Sequence, residues 1–380
     1  MPSTVLYTVC YSDFYGTQRN ILATARKLDP ERFTPLVAAP GGEMFFSELK
    51  KENIPVVEMP FTNVADTGTI IAIRRLINQN NVAIIHAHLG ISTFLSLAAS
   101  TVADGVPVIS TRHFIEDRYS TLRSRLKYTA YLNMYKRMNR RLKKIIFVSD
   151  AVRKGVESRE GCVGDKGIVI PNGVDILEGP FKEGLLPEEI DIIRDRYGVP
   201  PGRKLVVTLS RLVPEKGLDC LLEAAVELRK AGRDDFYILV AGDGPLRIEL
   251  EAKARKLYVN DMVRFAGYIK DVRSLLSASD MFVLCSHAEP FGIAVLEAMS
   301  VGVPVIVASA GGPLEIIREG ESGLFFRPGD AKGLSDKILK VADDRLLWNE
   351  LVRGARNRVM DYDEKIVAES IMKVYDEVSK

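Results

Sequence analysis

A chain of 380 residues is too long for one ordinary core and suits two domains of roughly 150–190 residues. Its apolar fraction of 47% and charged fraction of 27% are those of a globular chain and exclude disordered and fibrous classes. Fifty-two basic against fifty acidic side chains leave a formal net charge of +2, a total that gives no reason to expect a nucleic-acid partner.

No apolar run reaches the roughly eighteen residues of a membrane span. The N-terminus enters a strand-like run directly, without the basic segment and cleavage site of a signal peptide. Cys10, Cys162, Cys220 and Cys285 are scattered and form no CxxC. Buried thiols in a reducing cytoplasm are therefore expected, rather than disulfides or a zinc ribbon.

Short β-branched runs alternate with longer amphipathic stretches. The spacing predicts strands at 5–9, 35–39, 83–86, 107–111 and 144–148, with helices such as 18–28 and 92–103 between them. It continues with strands at 205–209, 237–241, 263–266, 281–285, 304–308 and 323–326, and helices at 218–231 and 246–256. Such alternation means parallel sheets covered by helices on both faces. Proline and glycine cluster between 172 and 203, which reads as a linker holding a short helix at 188–197. The expected organisation is a first Rossmann-like domain at 1–175, a linker at 176–202, a second Rossmann-like domain at 203–361, and a C-terminal helix within 362–380. Two doubly wound α/β domains facing across a cleft would place ligands beyond the carboxyl ends of their strands.

The densest motif runs from Cys285 through Glu289-Pro-Phe-Gly to Glu297 and Pro304. A buried strand ends, a loop follows, and Glu289 opens a helix whose first turn offers free backbone N–H groups. Eight residues of helix would separate Glu289 from Glu297 by about 12 Å, too far for a hydrolase pair. They suit two hydroxyl-bearing ends of one long ligand, such as a nucleotide sugar. Arg211 and Lys216-Gly217 follow the strand at 205–209 and precede a helix. Two cations beside a helix N-terminus make a natural seat for a diphosphate.

Gly242-Asp-Gly-Pro ends another strand, but Arg247 stands where a dinucleotide fingerprint requires its third glycine, so a tight turn beside a nucleotide fits better than an NAD site. No GxxxxGK[ST] phosphate loop occurs. In the first half, Gly16-Thr17-Gln18 opens a helix, another possible anion seat. His86 and His88 share one face of a strand and read as cleft-lining or satisfied histidines. His113, ending the next strand, is the better candidate to touch a substrate.

Taken in order, these segments resemble the retaining glycosyltransferases of family four, which have the GT-B fold. The family's Glu-x7-Glu pair falls on Glu289 and Glu297, and its Gly-Arg-x(n)-Lys-Gly diphosphate motif falls on Ser210-Arg211 through Lys216-Gly217, with Ser210 replacing the glycine. Gly242-Asp-Gly-Pro, Ile170-Pro-Asn-Gly-Val-Asp175 and Gly311-Gly312-Pro-Leu-Glu315 follow the family order. The family's paired glycine in the first loop is here Tyr15-Gly16, so a side chain stands where none is usual.

The resemblance implies that Arg211 and Lys216 hold the donor diphosphate and that Glu297 binds the ribose. Glu289, with the N–H groups of Phe291, Gly292 and Ile293, would hold the donor sugar, the base would lie near Gly267-Tyr268-Ile269, and His113 would approach the reacting sugar. It also implies transfer with retention from a nucleotide-diphosphate-sugar to a sugar or lipid-linked acceptor, the C-terminal helix crossing back to the first domain. Fixed cations would stand in for a metal, so neither metal nor cofactor is expected. Competing readings are a nucleotide-sugar epimerase or hydrolase of the same fold, and a non-catalytic nucleotide-sugar-binding protein.

The small net charge hides an asymmetry. Residues 1–175 carry 23 basic and 16 acidic side chains, and 176–380 carry 29 and 34. Ten of the basic residues, and no acidic one, lie within 118–144. That segment reads either as a solvated helix covering its own domain or as a basic amphipathic helix resting on an anionic membrane or acceptor. The second reading would place the protein at the inner face of the membrane, and nucleic acid is not expected.

Overall fold

The computed structural model describes residues 2–11, 16–103, 105–114, 122–176 and 185–379, without the side chains of 122–128. Tyr15, the stretch 177–184 of the expected linker, and the first part of the basic segment lie outside the described residues. The chain divides into two compact units, one of 1–173 with 363–380 and one of 174–362.

The first unit holds a seven-stranded parallel sheet: β1 (Ser3–Val9), β2 (Phe33–Ala39), β3 (Val56–Glu58), β4 (Val82–His88), β5 (Val108–Arg112), β6 (Lys144–Phe147) and β7 (Gly167–Val169). The spatial order is β3-β2-β1-β4-β5-β6-β7. Leu6 of the central strand β1 lies between Leu36 and Ile85, and β1 and β4 are buried on both faces along most of their length. That burial is why they read as continuous apolar runs. The sequence pattern misses β3 and β7. Each has three residues and sits at a sheet edge, where one-sided pairing leaves little apolar pattern.

The second unit holds six parallel strands: β8 (Lys204–Leu209), β9 (Phe236–Ala241), β10 (Val263–Gly267), β11 (Met281–Leu284), β12 (Val305–Ala308) and β13 (Leu324–Phe326), in the order β10-β9-β8-β11-β12-β13. Strand order reverses between β1 and β4 in one sheet and between β8 and β11 in the other. These switch points open a crevice at the strands' carboxyl ends, where ligands of such sheets bind. The second core gathers Val206, Ile238, Val283 and Ile306 from the strands with Leu221, Leu228, Leu334 and Leu351 from helices.

Residues 187–196 of the expected linker form a helix (Pro187–Arg196) packed on the second unit, where Arg194 Nη2 meets Asp280 Oδ2 at 2.8 Å and Arg194 Nε donates to the Ala278 carbonyl at 2.9 Å. Proline and glycine density marked the turns but carried no sign of that arginine anchor. The C-terminal helix (Glu364–Val378) belongs to the first unit. Asp363 caps it by accepting from the Lys365 amide, Glu364 pairs with Arg26 at 2.6 Å, and Tyr375 hydroxyl meets those of Tyr7 at 2.9 Å and His86 Nδ1 at 2.7 Å.

The basic segment forms a helix at Leu122–Arg141. Tyr135, Met138, Asn139 and Leu142 are buried against the first unit, while Lys136, Arg137, Arg140 and Lys143 are exposed. Among the described residues, no helix is long and apolar enough to cross a membrane.

Candidate active site

The loop leaving β8 carries Arg211 and ends in a single 3-10 turn, Pro214–Lys216, before the helix Leu218–Lys230. Gly217 joins turn to helix at φ 60, and a Cβ there would overlap the Cys285 carbonyl oxygen. Only glycine allows both the left-handed backbone and this approach. The Glu215 carbonyl also accepts from the His287 amide at 2.9 Å. The loops after β8 and β11 are thereby joined across the second switch point.

Within that junction Lys216 Nζ lies 2.7 Å from Glu289 Oε2, and Ser286 Oγ donates to the same oxygen at 3.0 Å. The two charged side chains are 16% and 12% exposed, enough to be reached by a ligand and dry enough to strengthen the pair. On the far side, the Glu289 carbonyl accepts from the Gly312 amide at 2.8 Å. Glu289 is therefore gripped by loops from β8, β11 and β12.

The helix that follows runs Ile293–Ser300, with Gly292 as its N-cap. Glu289 precedes it on the loop, because Gly292, at φ 108, breaks the helical backbone between them. The 12 Å separation expected from eight helical residues is thus replaced: only Glu297, partly buried, is on the helix. Phe291 is buried, its ring 6.0 Å from that of Tyr362. Phe291, Gly292 and Ile293 occupy the approach to the helix N-terminus, where backbone N–H groups lack intrahelical acceptors.

Arg211 is half-exposed, with Nη2 3.5 Å from Glu215. The Gly242 amide donates to the Gly267 carbonyl at 2.7 Å, tying the ends of β9 and β10 together beside the half-exposed Tyr268. Arg211, Lys216, Gly242, Tyr268, Glu289, Phe291, Gly292, Ile293 and Glu297 all belong to the second unit, and the structure brings Lys216 and Glu289 into direct contact. Gly16 and His113 belong to the first unit, Gly16 opening the helix Gly16–Arg26 after β1 and His113 following β5.

The residue that sequence reasoning missed is Ser286. Its position three before Glu289 is a serine-to-glutamate spacing that often marks reciprocal bonding at a helix start. An Asp-x-Asp triplet, the metal signature of the other glycosyltransferase fold, stands at Asp361-Tyr362-Asp363. Asp361 pairs with Arg358 at 2.5 Å and Asp363 caps the C-terminal helix, so both carboxylates have structural uses.

In the first unit, His86 bonds Tyr375 through Nδ1 and Thr111 Oγ1 through Nε2, each at 2.7 Å, and His88 Nδ1 meets His113 Nε2 at 2.8 Å. Burial pushes His86 and His113 down to about 3, the neighbouring His113 adding to the effect on His86. The folded protein keeps these rings neutral while the unfolded chain takes up protons below its ordinary value of 6.5, so stability is fullest above that value and falls as pH drops toward 3. The expected loss between about pH 7.5 and about pH 5 is about 2 kcal/mol per histidine. Urea midpoints across that range check it, and a flat profile would show that the rings are protonated or solvated in the folded state.

Comparison with known proteins accounts for both units. Residues 14–177 match Glycosyltransferase Family 4, and 189–358 match Glycosyl transferases group 1. Glycogen synthase of Mycobacterium tuberculosis is 30% identical over 77% of this chain and 68% of its own length. Phosphatidyl-myo-inositol mannosyltransferase of Mycobacterium leprae is 27% identical over 81% and 76%. The crystal structure of Anabaena HepE in complex with UDP and glucose superposes with a TM-score of 0.85 at 22% identity, covering 99% of this chain and 100% of that one; this likeness establishes the fold. Two Rossmann-like units with these relatives define a glycosyltransferase of the GT-B fold. The chain belongs to glycosyltransferase family 4.

Proposed function

We propose that this glycosyltransferase takes its sugar from a nucleotide-diphosphate donor held by the second unit, transfers it with retention, and needs no metal. The observation that carries the reading is the contact between Lys216 and Glu289 at the second switch point. A cation and a carboxylate, both mostly buried and held by three loops, are the two groups this chemistry needs.

The bond from the anomeric carbon to the β-phosphate oxygen breaks while an acceptor hydroxyl oxygen bonds that carbon and passes its proton to the departing diphosphate. Negative charge therefore builds on the oxygen that leaves. Lys216, Arg211 and the N–H groups before helix Ile293–Ser300 supply fixed positive potential where that charge grows, the largest kind of catalytic contribution in most enzymes. Glu289 accepts hydrogen bonds from sugar hydroxyls and steadies the positive character developing at the anomeric carbon. Glu297 accepts from the ribose. In this scheme the ion pair is a resting arrangement: the arriving diphosphate draws Lys216 toward itself and frees a Glu289 oxygen for the sugar, Ser286 keeping the carboxylate oriented.

Retention and metal independence are tested together. Chelator-treated enzyme, screened with UDP-, GDP- and ADP-sugars, should give a product with the donor's anomeric configuration by NMR. Inversion, or activity restored only by added divalent ions, would refute the corresponding part of the proposal.

A further inference from the structure

A pocket lies wholly within the first unit at the carboxyl end of β5, lined by Arg112 and His113 of that strand end, Tyr131 and Tyr135 of helix Leu122–Arg141, and Arg159 and Glu160 of helix Asp150–Glu160. Arg112 is 6% exposed. Its Nη2 donates to Asn139 Oδ1 at 2.8 Å and to Glu160 Oε2 at 3.2 Å, and its guanidinium carbon sits 4.5 Å from the centre of the Tyr135 ring. Asn139 Nδ2 reaches the same Glu160 oxygen at 2.9 Å. Arg112 is thus fixed from three directions, yet among the described residues its buried Nε has no hydrogen-bond partner.

A buried guanidinium donor left unanswered is costly and uncommon in a folded protein. It is expected where a ligand supplies the missing acceptor. The remaining lining agrees on what that acceptor is. Among the described residues two arginines and one glutamate line the pocket, a positive formal balance, and His113 stays neutral. Gly90, the first residue of helix Gly90–Val102, also lines the pocket, adding the positive end of a helix dipole. The preceding Leu89 is held at φ 73, outside the range leucine normally adopts.

We propose that this pocket anchors the phosphate group of a phosphorylated acceptor. The inference rests on the reading above, in which the acceptor meets the first unit and His113 approaches the reacting sugar, and adds the acceptor's chemical class. Arg112 Nε would give one hydrogen bond to a phosphate oxygen, and Arg159 a second, charge-assisted one. A soluble sugar phosphate and a phospholipid headgroup share this chemistry, and the exposed cations of helix Leu122–Arg141 lie on the same element as Tyr131 and Tyr135.

The test follows the arginine Nε–H signals of the full-length protein by NMR. The Arg112 signal is assigned by Arg112→Lys or, should that chain fail to fold, by Glu160→Gln, which perturbs the same signal through its neighbour. Inorganic phosphate at millimolar concentration should shift it saturably. The shift should persist in Lys216→Ala, where the donor seat is disabled, and weaken about tenfold in Arg159→Gln, the value of one lost charge-assisted bond. Glycerol 3-phosphate in solution and phosphatidylglycerol vesicles then separate a soluble from a lipid-borne phosphate.

No shift, a shift abolished by Lys216→Ala, or equal affinity in Arg159→Gln would overturn the proposal. A response to inorganic phosphate with neither ester would mean an adventitious ion only, and would also overturn it. Sugar transfer is read separately as nucleoside diphosphate release. A silent Arg112 signal with donor turnover intact removes the pocket alone, whereas absence of turnover with every donor removes the proposed function.

Discussion

Lys216→Ala is expected to lower kcat/KM about 10²- to 10³-fold, the usual cost of removing one group aimed at developing charge, with little change in thermal stability. The side chain leaves a 3-10 turn whose backbone bonds do not depend on it, and 16% of it is exposed, so alanine leaves neither a large cavity nor a broken strand. The loss should fall mainly on kcat, because Lys216 meets more charge in the transition state than in the bound donor.

Glu289→Gln is the companion experiment. It keeps the shape and an acceptor for Ser286 but removes the charge. The two residues touch, so their effects should be strongly non-additive, with the double variant close to the weaker single one. Steady-state kinetics with circular dichroism as the folding control checks both. A folded Lys216→Ala enzyme with full turnover would exclude the diphosphate role.

The second large effect is expected at Gly311, which carries no charge of its own. Gly311 is held at φ 68, and a Cβ there would overlap the Glu289 carbonyl oxygen and stand 3.0 Å from its carbon. Gly311→Ala must therefore displace the loop carrying Glu289 and disturb its contact with Lys216. A displacement of about 1 Å in a positioning loop can cost about 100-fold in rate. Gly320→Ala is the control that separates strain from overlap. It has nearly the same backbone, φ 76, but nothing within 4 Å of the added carbon, so it pays only the left-handed penalty of about 1–2 kcal/mol. Urea unfolding should therefore show a loss in both variants, and kinetics a loss only in Gly311→Ala. Equal activity in the two would mean that the β12 loop does not position Glu289.

Much of this architecture is legible in one dimension because its signals are local. Strands such as β1, β4, β8 and β9 are buried on both faces, so their residues must be apolar in an unbroken run whatever surrounds them. The loop motifs are legible for a similar reason: Gly217 joins a turn to a helix and Gly242 follows a strand end, so each marks a local corner. The edge strands β3 and β7 escaped because three residues with one neighbour carry too little pattern. The helix Pro187–Arg196 was legible as a helix, but its packing on the second unit was not, because its anchor, Arg194 on Asp280, joins residues 86 apart.

Fold class, family and the two charged loops of the donor seat are properties of the chain order, since each depends on residues near one another in sequence. Tertiary structure alone decided that Lys216 and Glu289, 73 residues apart, form one ion pair, and that Ser286 shares it. It alone turned Arg112, an unremarkable strand-end residue, into a buried cation with a donor unanswered, because Asn139, Tyr135 and Glu160 arrive from two other helices. The physical reason is the same in both cases. Burial and backbone geometry impose a pattern on neighbouring residues, whereas the pairing of charges is chosen by whichever loops a switch point or a helix crossing brings together.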